Sequence, residues 1–302
     1  MTSDLAARLG LAAGTRAVII NADDFGMCHA ANTAIVRLLH DGAIDSATVM
    51  VPCAWSPEAL SFAASRRDLD VGVHLVLTSE WTRYRWRPLT GVGTTLVDDA
   101  GFFPAEVLSV EQQASEADVA AELEAQLQAA LDAGVDVTHL DNHMGSVYGL
   151  LTGRHFLGPV FDIAARHGLP FRLPRDMTGS VGDGALRTKL AETAAAADAR
   201  GVEIVDRLWT HPFDQAPGET YEQVRDGFLA LLRAVPAGVT EIYLHPMVDD
   251  VELRSLVDFA AEKRGHELRL LSDPVVHRTI ADEGLVRIGW RDLRDLQRRG
   301  RA

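Results

Sequence analysis

Cysteine is scarce. The 302 residues hold two, Cys28 and Cys53, and neither stands in a Cys-x-x-Cys pair, so the spacing of a structural zinc site is missing. Long apolar runs are missing as well, since none approaches the ~20 residues needed to cross a bilayer. The opening MTSDLAARLGLAAG has neither the basic start nor the long apolar core of a signal peptide. These absences set the expectation of a cytoplasmic protein with reduced thiols and no membrane partner. Positive charge is in deficit, 29 Lys and Arg against 43 Asp and Glu for a net charge of −14, which disfavours nucleic acid as a partner. There is no internal repeat, low-complexity run or linker. The hydrophobic share of 47% is enough for one large core, and the reading is a single domain over 1–302.

What the chain does have is a regular alternation of strand-like and helix-like segments. Strands are expected at 17–20, 46–51, 71–77, 137–140, 170–172, 202–208 and 241–244, with a last unit around 286–290. Helix-period stretches fall at 30–40, 57–66, 116–133, 158–167, 185–198, 221–234 and 253–264. Ser56 reads as the N-cap of the second of these, with Pro57 in its first turn. Repeated βα units imply parallel pairing with right-handed crossovers. About seven or eight of them fit an α/β fold of the (β/α) barrel type better than an open sheet. Residues 79–114 break the rhythm as a long insertion, and such insertions are commonly functional loops.

Three segments place acid–base or metal-binding side chains just past a strand: Asn21 to Gly26, with Asp23 and Asp24; Gly72 to Leu75, with His74; and His139 to His143, with Asp141. In parallel α/β folds the C-terminal strand ends are where catalytic groups collect. One carboxylate and two imidazoles converging there make a His₂Asp site for one divalent metal, with Zn²⁺ favoured and Mg²⁺ or another divalent ion left open. Of the Asp pair, one carboxylate can bind metal while the other acts as a base; a plain turn signal is the competing reading. His143 is favoured as the second imidazole, with Asp141 orienting or binding substrate. His245, between Leu244 and Pro246, is placed to be a general acid, and His211 is the weaker competitor. Arg172 and Asp206 end strands and can orient and charge-tune Asp23. Trp81, Tyr84 and Trp86 can stack on sugar rings as part of a lid, or pack as a small satellite core. Cys28 lacks a base partner and is not read as a nucleophile.

At these residues the chain resembles the YdjC-like carbohydrate deacetylases, the ChbG/HpnK type, which are related to the NodB-type polysaccharide deacetylases. The resemblance is carried by Val18 to Gly26, Asn32, Gly42 to Val51, Gly72 to Thr78 and Thr138 to His143, and continues in Arg172 to Arg175 and Leu244 to Pro246. It implies a distorted TIM-like (β/α) barrel and removal of acetyl groups from N-acetylated sugars or oligosaccharides. It also implies Asp24, His74 and His143 as metal ligands, Asp23 as base and His245 as acid. Three features depart from the family pattern. Met144-Gly145-Ser146-Val147 follows His143 where further histidines are common, Cys28-His29 replaces a Ser-containing turn, and the Trp/Arg-rich insertion is not general. The identity of the sugar is left open by these departures, as is a homodimer. A carbohydrate-binding barrel without catalysis and a metal hydrolase of another substrate class are the alternatives. A pure binder needs no base beside its metal ligand, and a two-metal enzyme wants more bridging carboxylates.

Overall fold

The run from Ala17 to Ala22 has no exposed side, as expected of a parallel strand covered on both faces. It forms the centre of β1 (Arg16–Phe25), the hub of the sheet. The computed structural model describes residues 5–91, 93–176, 184–257 and 260–300, and for 184–188 the backbone only.

Ahead of β1 lies the short α1 (Leu5–Arg8), and after it come α2 (His29–His40), β2 (Ser46–Val49), α3 (Ser56–Ser65) and β3 (Val71–Leu75). Next are α4 (Val107–Gln113), α5 (Glu116–Asp132), β4 (Leu140–Asn142) and a 3₁₀ turn, His143–Gly145. They are followed by α6 (Leu157–His167), α7 (Gly184–Ala199), β5 (Arg207–Thr210), α8 (Tyr221–Ala234) and β6 (Gly238–Leu244). The chain closes with α9 (Val251–Leu256), α10 (Ala261–Leu271), α11 (Pro274–Asp282), β7 (Val286–Arg287) and α12 (Trp290–Arg299). Among the described residues, no helix is long and apolar enough to cross a membrane.

Every strand pair is parallel, in the order β4-β3-β2-β1-β6-β5, with β7 added to β1. This is a parallel half-barrel sheet, consistent with a distorted TIM-like barrel and short of a closed one. The gap between β4 and β5 is spanned by residues 170–175, which make only the isolated bridges Leu140–Phe171 and Pro174–Val205. The strand expected at 170–172 is therefore reduced to a bridge, because Pro170 and Pro174 bring no ladder donors.

Side-chain parity explains where the chemistry sits. Val18, Ile20 and Ala22 join the large core between sheet and helices, whereas Ala17 and Ile19 join a second cluster with Leu5, Val205, Val239, Trp290 and Leu293. That second cluster is the floor of the barrel interior, plugged by α12. Further along the same inward face come Asn21 and Asp23, and their neighbours are Ser46 and Thr48 of β2, His74 of β3 and Asp141 of β4, while Glu241 of β6, in register with Ile19, is joined to Asp23 through Arg172. The interior is thus apolar at the strand starts and polar at the strand ends.

Other expectations shift in register. The strand expected at 137–140 is found at β4, and the one at 202–208 mainly at β5. The helix expected over 253–264 is two helices. Val257 leaves α9 with extended backbone, and Ala260 enters α10 at φ +62°. The N-cap of α3 is Trp55, while the Ser56 hydroxyl donates to the Val51 carbonyl instead. The 79–114 insertion is not wholly irregular, for it contains α4.

Candidate active site

A strand period of two sends neighbouring side chains to opposite faces, yet Asp23 and Asp24 both face one cleft. The cause is a register shift of β1 against β2 between Ala22 and Phe25. Asp24 takes φ +68° there, a left-handed conformation that Asp tolerates better than most residues. Such irregularities re-aim side chains beside active sites.

Asp24 meets two imidazoles. Its Oδ1 lies 3.6 Å from His74 Nε2 and 3.5 Å from His143 Nδ1, too far for good hydrogen bonds, and this buried oxygen has no other partner. The far nitrogen of each ring is occupied. His74 Nδ1 donates to Asp141 Oδ1 at 2.7 Å, and His143 Nε2 donates to Glu80 Oε2 at 2.9 Å. Carboxylates on the outer nitrogens of two convergent imidazoles are the pattern of a metal site. Donor atoms of Asp24, His74 and His143 lie within 4.8 Å of one another. Burial alone would lower the His143 pKa, but Glu80 and Asp24 outweigh it and hold the ring up at about 10. This corner favours a cation, and a divalent ion would displace that proton. Burial also opposes ionisation of Asp24, yet His143, His245 and His74 pull its carboxyl well below the usual range. Asp23, His74 and Asp141 are clustered as tightly, but there the carboxylates are engaged by Arg172 and by His74 itself. The first group fits a metal and the second does not.

Arg172 organises the other half of the site. Its guanidinium donates to both oxygens of Asp23 at 2.6 and 2.7 Å, to Glu241 Oε1 at 2.8 and 3.0 Å, and contacts Asp141 Oδ2 at 2.9 Å. The Asn21 amide adds a bond to Asp23 at 2.8 Å and the Thr48 hydroxyl one to Asp141 at 2.8 Å. Burial would raise the pKa of Asp23, but Arg172 outweighs it and leaves the carboxyl at about 2. Burial pushes Glu241 up to about 7 against the same arginine. Trp290 Nε1 donates to Glu241 at 3.1 Å from the floor.

The remaining sequence candidates separate. His245 lines the cleft with Asp23 and Asp24, its ring edge-on to Phe213 at 5.1 Å. Burial and then Arg264 pull it down to about 4, against Asp24 and Asp23. His211 does not line this cleft; it is buried with Nδ1 unpartnered. Asp206 is not brought to the site. Its Oδ2 accepts from the Val239 N–H at 2.8 Å, at the start of β6 rather than its end. His139 lies below the site, stacked on Trp290 at 4.8 Å, and Gly72 has no side chain because a Cβ there would come within 2.6 Å of the His139 ring. Trp81 borders the cleft. Trp86 does not, being buried with Nε1 donating to the Thr78 carbonyl at 2.7 Å. Burial raises the Cys28 thiol to about 12, which agrees with its exclusion as a nucleophile. Sequence reasoning missed Glu80, Thr48, Glu241 and Trp290. The glutamate that opens the otherwise apolar 241–244 run was the available signal.

The chain is similar to known proteins over most of its length. The profile of the YdjC-like protein family matches residues 17–282. A curated carbohydrate deacetylase of Thermus thermophilus is 33% identical over 293 residues, covering 97% of this chain and 98% of the relative. One of Geobacillus stearothermophilus is 29% identical, covering 92% and 98%. A crystal structure from Enterococcus faecalis, of a protein thought to cleave cellobiose phosphate, superposes with a TM-score of 0.74 at 24% identity, covering 92% and 99%. The chain belongs to the YdjC-like family.

Proposed function

We propose that this protein is a metal-dependent carbohydrate deacetylase that hydrolyses the amide of an N-acetylated sugar or oligosaccharide. The observation that carries the reading is the buried, partnerless Asp24 oxygen between two oriented imidazoles, beside a second carboxylate clamped by Arg172. The curated relatives named carbohydrate deacetylase support the substrate class. In this reading residues 1–302 act as a single barrel domain and the 79–114 insertion walls the cleft, with Trp81 as the ring available to a sugar.

Asp24, His74 and His143 would hold one divalent ion; a His₂Asp donor set favours Zn²⁺ over the all-oxygen surroundings that suit Mg²⁺. When bound, such an ion supplies Lewis acidity toward a carbonyl and a lower pKa for water. Asp23, ionised and fixed by Arg172, accepts the proton of the attacking water. Arg172 and Asn21 hold the carboxylate in one orientation, so little reorganisation accompanies the transfer. The tetrahedral centre then loses the sugar amine, which needs a proton to leave. His245 faces the reacting carboxylates and is the group assigned to deliver it. Held at about 4, its ring is neutral at rest near pH 7; in this reading the proton that Asp23 takes from water passes to the leaving amine by way of His245, which returns Asp23 as the anion and His245 as the neutral ring.

The test is release of acetate and free amine from N-acetylglucosamine and its β-linked disaccharide by protein loaded with Zn²⁺ or Mg²⁺. The two products are expected in equal amounts, abolished by a chelator. His245→Ala is expected to lose about 10²–10⁴-fold in rate, with His211→Ala close to wild type. Sugar binding without product, with metal bound, would instead support a non-catalytic barrel.

A further inference from the structure

The 79–114 insertion leaves the sheet directly after β3, and its first residues are tightly laced. Ser79 N–H donates to the Pro104 carbonyl at 2.9 Å, Trp86 N–H to Ser79 Oγ at 3.1 Å, and Phe103 N–H to the Trp86 carbonyl at 3.2 Å. Trp86 also anchors by its indole on Thr78, and its ring lies edge-on to His143 at 6.1 Å. This frame presents Glu80 to the cleft, where Oε2 accepts from His143 Nε2 at 2.9 Å. The side chains are 22% and 7% exposed, so the pair is largely shielded from water and the bond is worth more than a surface contact.

The two metal-site imidazoles are held in opposite senses. His74 is tied through Nδ1 and presents Nε2 to Asp24; His143 is tied through Nε2 and presents Nδ1. The carboxylate for His74 is Asp141, from the barrel interior. The one for His143 comes from the insertion. We infer that Glu80 is a positioning residue of the metal centre: it holds His143 in the tautomer that offers Nδ1 beside Asp24, which makes the insertion a working part of the metal site. Glu80 is not itself a ligand, because it lies on the far nitrogen of the ring. This inference rests on the assignment of Asp24, His74 and His143 as metal ligands.

Competition with a chromophoric chelator gives the Zn²⁺ affinity of the full-length protein, of Glu80→Gln, Glu80→Ala and, as a reference, Asp24→Asn. Loss of an outer carboxylate is expected to weaken binding by about 10–100-fold in Glu80→Ala. Glu80→Gln should fall between that variant and wild type, because an amide oxygen still accepts the Nε2–H. Long-range proton–nitrogen NMR of the Zn²⁺-loaded protein should show His143 protonated at Nε2 in wild type and in Glu80→Gln, with that signal broadened or moved in Glu80→Ala. A Glu80 that only braces the loop would lower the melting temperature of the metal-free variants without changing Zn²⁺ affinity or the His143 spectrum. Glu80→Ala binding Zn²⁺ within about 2-fold of wild type, or a proton on Nδ1 in the loaded protein, overturns the inference. Asp24→Asn binding as tightly as wild type overturns the ligand assignment and the inference with it.

Discussion

Asp23→Asn is expected to keep its fold and its metal while losing about 10²-fold or more in turnover. The substitution preserves shape, and its amide oxygen can still accept from Arg172. What disappears is the anion that receives a proton from water. The fold should survive because the guanidinium keeps Glu241 and Asp141 as counter-charges, so no buried cation is left bare. Asp24→Asn should show the reverse, with metal content falling first and activity following. Measuring bound Zn²⁺ and turnover in both variants separates the roles. Loss of metal in Asp23→Asn with retention in Asp24→Asn would exchange the two assignments.

Arg172→Met should produce the largest stability loss of any single change in the site, about 3–5 kcal/mol, since it strands buried carboxylates without their partner. The effect has a definite pH dependence. In the wild type, Arg172 outweighs burial and holds Asp23 at about 2, below its ordinary value. The ionised carboxylate therefore contributes stability above ~4 that is lost as the pH falls through the folded value. Without Arg172 burial dominates and the folded carboxyl pKa values rise above the unfolded ones. The variant then loses stability as the pH rises from ~4 toward neutrality. The gap between the two proteins should be smallest near pH ~2, where the carboxyls of both are protonated, open already by pH ~4 as wild-type Asp23 ionises, and widen further toward pH 7 as the variant loses stability, as read by urea unfolding of both at each pH. A gap independent of pH would show that Arg172 acts through packing rather than charge.

Much of this was legible in the chain because strand ends collect chemistry. Asp23, Asp24 and His143 stand out because their polar clusters terminate apolar runs, and His74 because it interrupts one. What could not be read is set by long-range pairing. The register shift that turns both Asp23 and Asp24 inward depends on β2. Asp206 and Arg172 both end expected strands, but only Arg172 reaches Asp23, because 170–175 bridges the gap beside β4 while Asp206 pairs at the start of β6. His139, Asp141 and His143 alternate, yet His139 lies ahead of β4 and stacks on Trp290 below the site, whereas His143 enters a 3₁₀ turn and meets Asp24. Trp81 and Trp86 are five residues apart and equally aromatic, yet only one borders the cleft. The Glu80 contact with His143 spans 63 positions, and no local pattern encodes it.

The central claim is that Asp24, His74 and His143 form one metal site. Anomalous diffraction from crystals equilibrated with Zn²⁺ locates the ion directly. The account predicts the dominant peak at about 2.0–2.2 Å from a carboxylate oxygen of Asp24, Nε2 of His74 and Nδ1 of His143. A dominant peak between Asp23 and Asp141, or none beside Asp24, would contradict it.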